Sequence, residues 1–303
     1  MRDLLLICLF LLVSTPAFTQ STEGLGKGEE LPTLYEMTAH SQLVIAGKVI
    51  SGEVKLAQVQ VDEVFRGQAK LGQNLQIAFR DFNTDLGKED RILFANGETN
   101  ILFLVPEVTW QGKPKGKDRY TLYRGHFGKF TLPREGDEIY REALRMFAGL
   151  AAEKDHRKLY REIGSLLGNS NPILAETGLK EVLRLDLMDA DLLPRVLPYF
   201  RDPSPQRRSQ SLKLLGRFFL DLKPGDRSPE LQDEALGPIL ALARNDPDER
   251  VRICAVEALG AWGGEEVLST LEAVAEQDSA QSVRYEAKVT LLRRSKDEKN
   301  EKR

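Results

Sequence analysis

Asp246-Pro-Asp-Glu-Arg-Val-Arg-Ile-Cys-Ala-Val-Glu-Ala-Leu-Gly-Ala-Trp262 decides the fold of the C-terminal half. An Asp-Pro turn leads into apolar residues at helical spacing, and the arrangement occurs twice more. Asp202-Pro-Ser-Pro-Gln-Arg-Arg208 and Asp278-Ser-Ala-Gln-Ser-Val-Arg284 each open a helix, and in all three copies an arginine stands six residues after the aspartate. A recurring helix pair buries its apolar stripe only against the next copy, so the pattern predicts a stacked helical array, an architecture for binding.

Working outward, helical periodicity pairs His156–Leu167 with Pro172–Leu185, and Leu192–Phe200 with Gln206–Leu220. It then pairs Ala235–Ala243 with Glu249–Trp262, and Glu265–Ala275 with Ser282–Arg293. Aligned at Ile173, Arg207, Val251 and Val283, the second helices step by 34, 44 and 32 residues, and the long step holds an insertion over Asp221–Pro229. The expected organisation is a signal peptide over 1–19, a polar Gly-rich linker over 20–33 and a β-barrel over 34–135. A connecting helix over 136–156, the repeat array over 157–294 and a frayed charged tail over 295–303 follow.

The repeat resembles HEAT repeats, in particular the short HEAT-like repeats first known from phycobilin lyases. The residues that carry the resemblance are Asp246-Pro-Asp, Val251, Arg252, Ala255, Val256, Ala258, Leu259, Gly260, Trp262 and Gly263. It spans roughly 157–293 and implies a solenoid of about four helix pairs; the first copy departs from it, with Gly168 and Leu174 in the aligned places. Asp202, Asp246 and Asp278 end the turns, where a carboxylate accepts backbone N–H bonds. Arg208, Arg252 and Arg284 are placed to reach that aspartate or a neighbouring turn, forming a structural ladder of charge-assisted hydrogen bonds. Val251, Leu259 and Trp262 are expected in the core, with Ala258 and Gly260 allowing close helix approach. Ile253, Glu257 and Tyr285 fall between the core positions and are candidates for a protein-binding face.

Upstream the period changes to two. Leu43–Ile50, Ala57–Phe65, Leu75–Phe79, Asn100–Val105, Tyr120–Tyr123 and Lys129–Leu132 read as strands after a short helix at Leu34–His40. Their close spacing leaves no room for crossover helices and indicates an antiparallel barrel or sandwich. Ala39-His-Ser-Gln-Leu-Val-Ile-Ala-Gly-Lys-Val49, Val61-Asp-Glu-Val-Phe-Arg-Gly67, Gly97–Leu104 and Gly128-Lys-Phe130 resemble the OB-like barrels of bacterial exported proteins, which are similar to the netrin-like domain of tissue metalloproteinase inhibitors. Those inhibitors chelate the protease zinc through an N-terminal cysteine that this chain lacks. The fold class expected is therefore α+β multidomain, an antiparallel OB-like barrel followed by a HEAT-like solenoid.

Arg2 and the ten apolar residues Leu4–Val13, followed by small residues to Thr19, form a signal-peptide pattern with cleavage after Ala17 or Thr19. The run is too short for a bilayer core, which needs about 20 residues. Membrane contact is expected only through this leader, and the destination is the periplasm or the exterior of a bacterial envelope. After cleavage Cys254 is the one remaining cysteine, so no intramolecular disulfide forms; its place on a repeat helix suits a small buried residue.

The net charge of −3, with 15 basic and 15 acidic residues between Gln20 and Glu135, argues against a nucleic-acid partner. His40, His126 and His156 are scattered, and no metal-ligand spacing, nucleophile elbow or phosphate loop occurs. Gly24, Gly26 and Gly28 follow no strand and belong to the linker. No catalytic residue, metal or cofactor is expected. The favoured function is an exported scaffold or adaptor that docks a protein on the concave face of the solenoid. A protease inhibitor acting through the barrel, and a HEAT-like lyase or other enzyme, remain the alternatives.

Overall fold

The computed structural model describes residues 32–53, 55–79, 93–133, 135–222 and 229–301; the side chains of 126, 229–233 and 296–301 are outside that description. The signal-peptide pattern and all but the end of the linker therefore lie outside the described residues, as does most of the insertion.

Thr33 caps the first helix, α1 (Leu34–His40), accepting the Glu36 N–H. Six strands follow: β1 (Leu43–Glu53), β2 (Leu56–Arg66), β3 (Asn74–Ala78), β4 (Thr99–Pro106), β5 (Arg119–Leu122) and β6 (Lys129–Thr131). The sheet runs β1-β2-β3-β5-β4 and closes on itself because β4 also pairs with β1. Each pairing is antiparallel except β3 with β5, and β6 continues the row of β5 along β4. Register shifts after Val44, Ala46 and Val49 bend the β1–β2 ribbon enough to close the barrel. Gly47 sits at one of them, where a Cβ would come within 2.6 Å of Val59 Cγ1.

Alternation in β2 sends Ala57, Val59 and Val61 inward beside Leu75, Ile77, Leu102 and Leu104, while Gln58 faces out. β1 and β4 lack that alternation at their centres because both of their faces are covered. Ile45, Leu102 and Leu104 fill the barrel, and Val44, Ala46, Ile101 and Phe103 point outward into a second core.

That second core joins the halves of the molecule. Helix α2 (Asp137–Ala152) lays Tyr140, Ala143, Leu144 and Phe147 on the outer faces of β1 and β4, together with Tyr35 and Met37 of α1. The same cluster continues through Ile163 of α3 (His156–Ser165) and Leu174, Leu179 and Val182 of α4 (Pro172–Leu185) to Leu214 of α6 (Pro205–Asp221). The expected connecting helix is thus an inner layer between barrel and repeats. Polar ties reinforce it. Glu63 of β2 accepts from Arg141 at 2.6 Å and Arg145 at 2.9 Å, and the Thr33 hydroxyl donates to the fully buried Glu181 of α4.

The helical half continues with α5 (Leu193–Val196), α7 (Pro229–Asn245), α8 (Glu249–Leu259), α9 (Glu265–Gln277) and α10 (Gln281–Glu301). Helices α4, α6, α8 and α10 touch in succession, and the segment before α6, then α7 and α9, form the other layer. Two sequence expectations change here. The helix expected over 192–200 is divided into a 3₁₀ turn, the single turn α5 and a second 3₁₀ stretch at Leu197–Arg201, because Pro194 and Pro198 remove two backbone donors in succession. The tail expected to fray from 295 continues α10 to Glu301. Between α6 and α8 the close contact falls at Gly216, where a Cβ would stand 3.1 Å from Ala258 Cα.

Because Phe147 is fully buried in the core shared by barrel and helices, Phe147→Ala should cost about 3–5 kcal/mol and lower one common calorimetric transition. Two separate transitions, only one of them moved, would show that the halves unfold independently.

Candidate functional site

The aspartates and arginines of the repeat meet across turns. Arg208 sends Nε and Nη2 to the two carboxylate oxygens of Asp246, both at 2.8 Å, while its Nη1 donates to the carbonyls of Asp202 and Pro203 at 2.8 and 3.2 Å. Arg252 repeats the pattern, gripping Asp278 at 2.8 and 3.0 Å and the Asp246 carbonyl at 2.8 Å. Each guanidinium thus closes its own turn and holds the next one. Asp246 and Asp278 also accept the N–H of the residue two positions on, Asp248 and Ala280, both at 2.8–2.9 Å.

The ends differ. In the first copy Leu174 stands where an arginine would grip Asp202, whose carboxylate instead accepts from Arg207 at 3.2 Å and the Ser204 amide at 2.8 Å. Arg284, at the last copy, reaches the carbonyls of Asp278 and Ser279. Burial pushes the Asp278 carboxyl up, but the hydrogen bonds from Arg252 and the Ala280 amide outweigh it and hold the group below its ordinary value.

A groove of about 630 Å³ follows α4, α6 and α8. Its walls include Arg184, Lys213, Arg217 and Arg250 as cations and Asp248 and Glu257 as carboxylates, with Ile253 and Cys254 on its floor. Lys213, Arg217 and Arg250 are exposed, whereas Arg184 is held by Glu181 at 2.6 Å and Asp248 caps α8 by accepting the Arg250 and Val251 amides. Desolvation and the neighbouring Glu286 push the Glu257 carboxyl above its usual range, against the pull of Lys213 and Arg293. Burial likewise pushes the Cys254 thiol up, away from the reactive thiolate. Of the three residues expected on a binding face, Ile253 and Glu257 come together in this groove. Tyr285, 67% exposed on α10, lies outside its walls.

Val251 and Leu259 are fully buried, and Trp262 packs on Phe219 with ring centroids 4.4 Å apart. Sequence reasoning missed the basic side of the groove, since Lys213 and Arg217 stand outside the repeat signature and only the α6–α8 contact brings them beside Arg250. A second hollow of about 690 Å³ lies at the turns before α4 and α6; in its wall Arg207 bonds Asp202 and, beyond the lining, Glu176, while Arg195 is exposed. His40 stacks on Tyr123 and His156 opens α3 beside Tyr160; the side chain of His126 lies outside the described residues. Among the described residues no group of three or more His, Cys, Asp or Glu side chains is placed to hold a metal ion.

The family described as HEAT repeats matches residues 193–291, from α5 into α10. No curated protein and no solved structure matches the chain.

Removing Arg252 would leave Asp278 nearly buried without its fork, so Arg252→Ala should destabilise the protein by about 3 kcal/mol. The linkage has a direction. With the folded carboxyl below the unfolded value of about 3.9, its contribution is complete above that value and is lost as pH falls through the folded one. Acid unfolding curves should therefore show less stability lost on that limb in Arg252→Ala than in the parent. Equal acid limbs would place the coupling elsewhere.

Proposed function

We propose that this protein is an exported, non-catalytic adaptor whose OB-like barrel carries a HEAT-like solenoid of four helix pairs, and that the solenoid docks a protein partner along its concave face. The observation that carries the reading is the groove along α4, α6 and α8, which puts Ile253 and Glu257 beside three exposed cations, Lys213, Arg217 and Arg250. HEAT repeats generally mediate protein–protein contacts, and the match over 193–291 includes α6 and α8. The leader-like run at Leu4–Val13 supports export. The partner's segment is acidic: the groove sets three exposed cations, Lys213, Arg217 and Arg250, against one exposed carboxylate, Glu257.

The repeated Asp/Arg pairs support a structural reading of those residues, because both of their rungs are occupied in holding turns together. The shared core also dictates the form of the test. Cutting the chain near Leu150 would expose Phe147 and its neighbours, so point variants of the intact protein are the sound probe.

Lys213→Glu/Arg217→Glu should leave the unfolding free energy within about 1 kcal/mol of the parent's, as surface changes do. The pair should weaken capture of the envelope partner at least tenfold, each rim charge acting through attraction and approach rate. Capture unchanged by the double reversal, at parent stability, would move the docking surface off this groove.

A further inference from the structure

The parallel pairing of β3 with β5 brings two loops to one end of the barrel. The β2–β3 turn carries Lys70 and Leu71, and the β4–β5 hairpin carries Val108, Trp110, Lys113, Lys115 and Lys117. They are tied together: Gln73 Nε2 donates to Asp118 Oδ1 at 2.8 Å, and the Gln76 amide donates to the Asp118 carbonyl at 2.9 Å. The hairpin is itself well fixed. Val108 and Pro114 form a bridge, the Thr109 amide donates to the Lys113 carbonyl at 2.7 Å, and the Gly112 amide donates to the Thr109 carbonyl at 2.9 Å. Gly112 takes φ 77°, which the tight tip requires.

This fixed scaffold holds its apolar side chains in water. Trp110 is 92% exposed, Leu71 72% and Val108 50%. Glu107 engages Lys115 at 2.6 Å and Arg119 at 2.8 Å, which leaves Lys70, Lys113 and Lys117 exposed and without a carboxylate partner among the described residues. We propose that this end of the barrel docks the protein on an anionic lipid surface, with Trp110, Leu71 and Val108 entering the interface and Lys70, Lys113 and Lys117 meeting the headgroups.

The composition of the patch selects this occupant. An indole sits favourably at headgroup depth, with a polar N–H on an apolar body. Leucine and valine gain from acyl chains, and they offer no flat face on which a base could stack. Exposed lysines without a carboxylate partner among the described residues attract an anionic surface. Sequence alone confined membrane contact to the leader, because Leu71 and Trp110 stand far apart in the chain and each looks like an isolated exposed apolar residue. The proposal concerns a surface separate from the helical groove, so groove variants should not affect it.

The test uses the chain from Gln20 onward, free of the apolar run Leu4–Val13, with vesicles of phosphatidylcholine alone or mixed with phosphatidylglycerol. Co-sedimentation should occur with the mixed vesicles, fall with added salt, and be weak on phosphatidylcholine. Trp110 emission should shift to the blue and be quenched by brominated acyl chains, while Trp262, only 4% exposed, is the unquenched internal reference. Trp110→Ala, and separately Lys113→Glu/Lys117→Glu, should each reduce partitioning by about tenfold at unchanged melting temperature. Absence of quenching, or parent-like binding by both variants, would overturn the proposal. So would loss in these variants of binding to a single-stranded oligonucleotide with vesicle binding absent, which would assign the patch to nucleic acid.

Discussion

A guanidinium has five N–H donors fixed in one plane, and in Arg208 and Arg252 that plane spans the space between successive inter-helix turns. Two donors on one edge match a carboxylate, and the third nitrogen faces a carbonyl of the arginine's own turn. A lysine's three donors radiate from a single nitrogen and cannot match both carboxylate oxygens of one turn and the carbonyl of another in this way. The geometry of the fork therefore sets the stacking distance of α6 on α8 and of α8 on α10, and Gly216 against Ala258 is where the helices come close enough to use it. Apolar contacts supply most of the free energy, since Val251, Leu259 and Val283 are fully buried, but such contacts are tolerant of sliding. The polar fork fixes the register.

The second constraint is the absence of a clean border between barrel and repeats. A barrel with two apolar outer strands needs a cover, and α1 and α2 provide it with one face. The opposite side of that layer faces α3 and α4, which would otherwise expose an apolar flank to water. Each half therefore caps the other. Glu181, fully buried, is tolerable there only because Thr33 and Arg184 both donate to it.

Much of this was legible in the sequence, for physical reasons that differ by element. Strands β2 and β3 announced themselves by alternation, and β4 announced its two covered faces by a run of apolar residues from Ile101 to Val105. Helix α4 begins at Pro172 because Asn171 caps it, a purely local signal. Other features depend on partners distant in the chain. Whether Arg252 would hold Asp246 or Asp278 rests on the rotation between repeats, which six residues of spacing do not specify. The role of α2 depended on which barrel face lacked polar residues. The basic side of the groove and the cluster at one end of the barrel both arise from packing or pairing between segments, α6 against α8 in one and β3 beside β5 in the other.

Arg284 ends the ladder with its own turn closed and its carboxylate-facing edge unmatched among the described residues. The helical stack is therefore open-ended in its bonding logic. A duplicated segment inserted at this point would meet a donor already spaced for its aspartate, and would inherit its orientation without any new specificity having to arise. A stack bonded this way can be lengthened in whole units without disturbing the rungs already made.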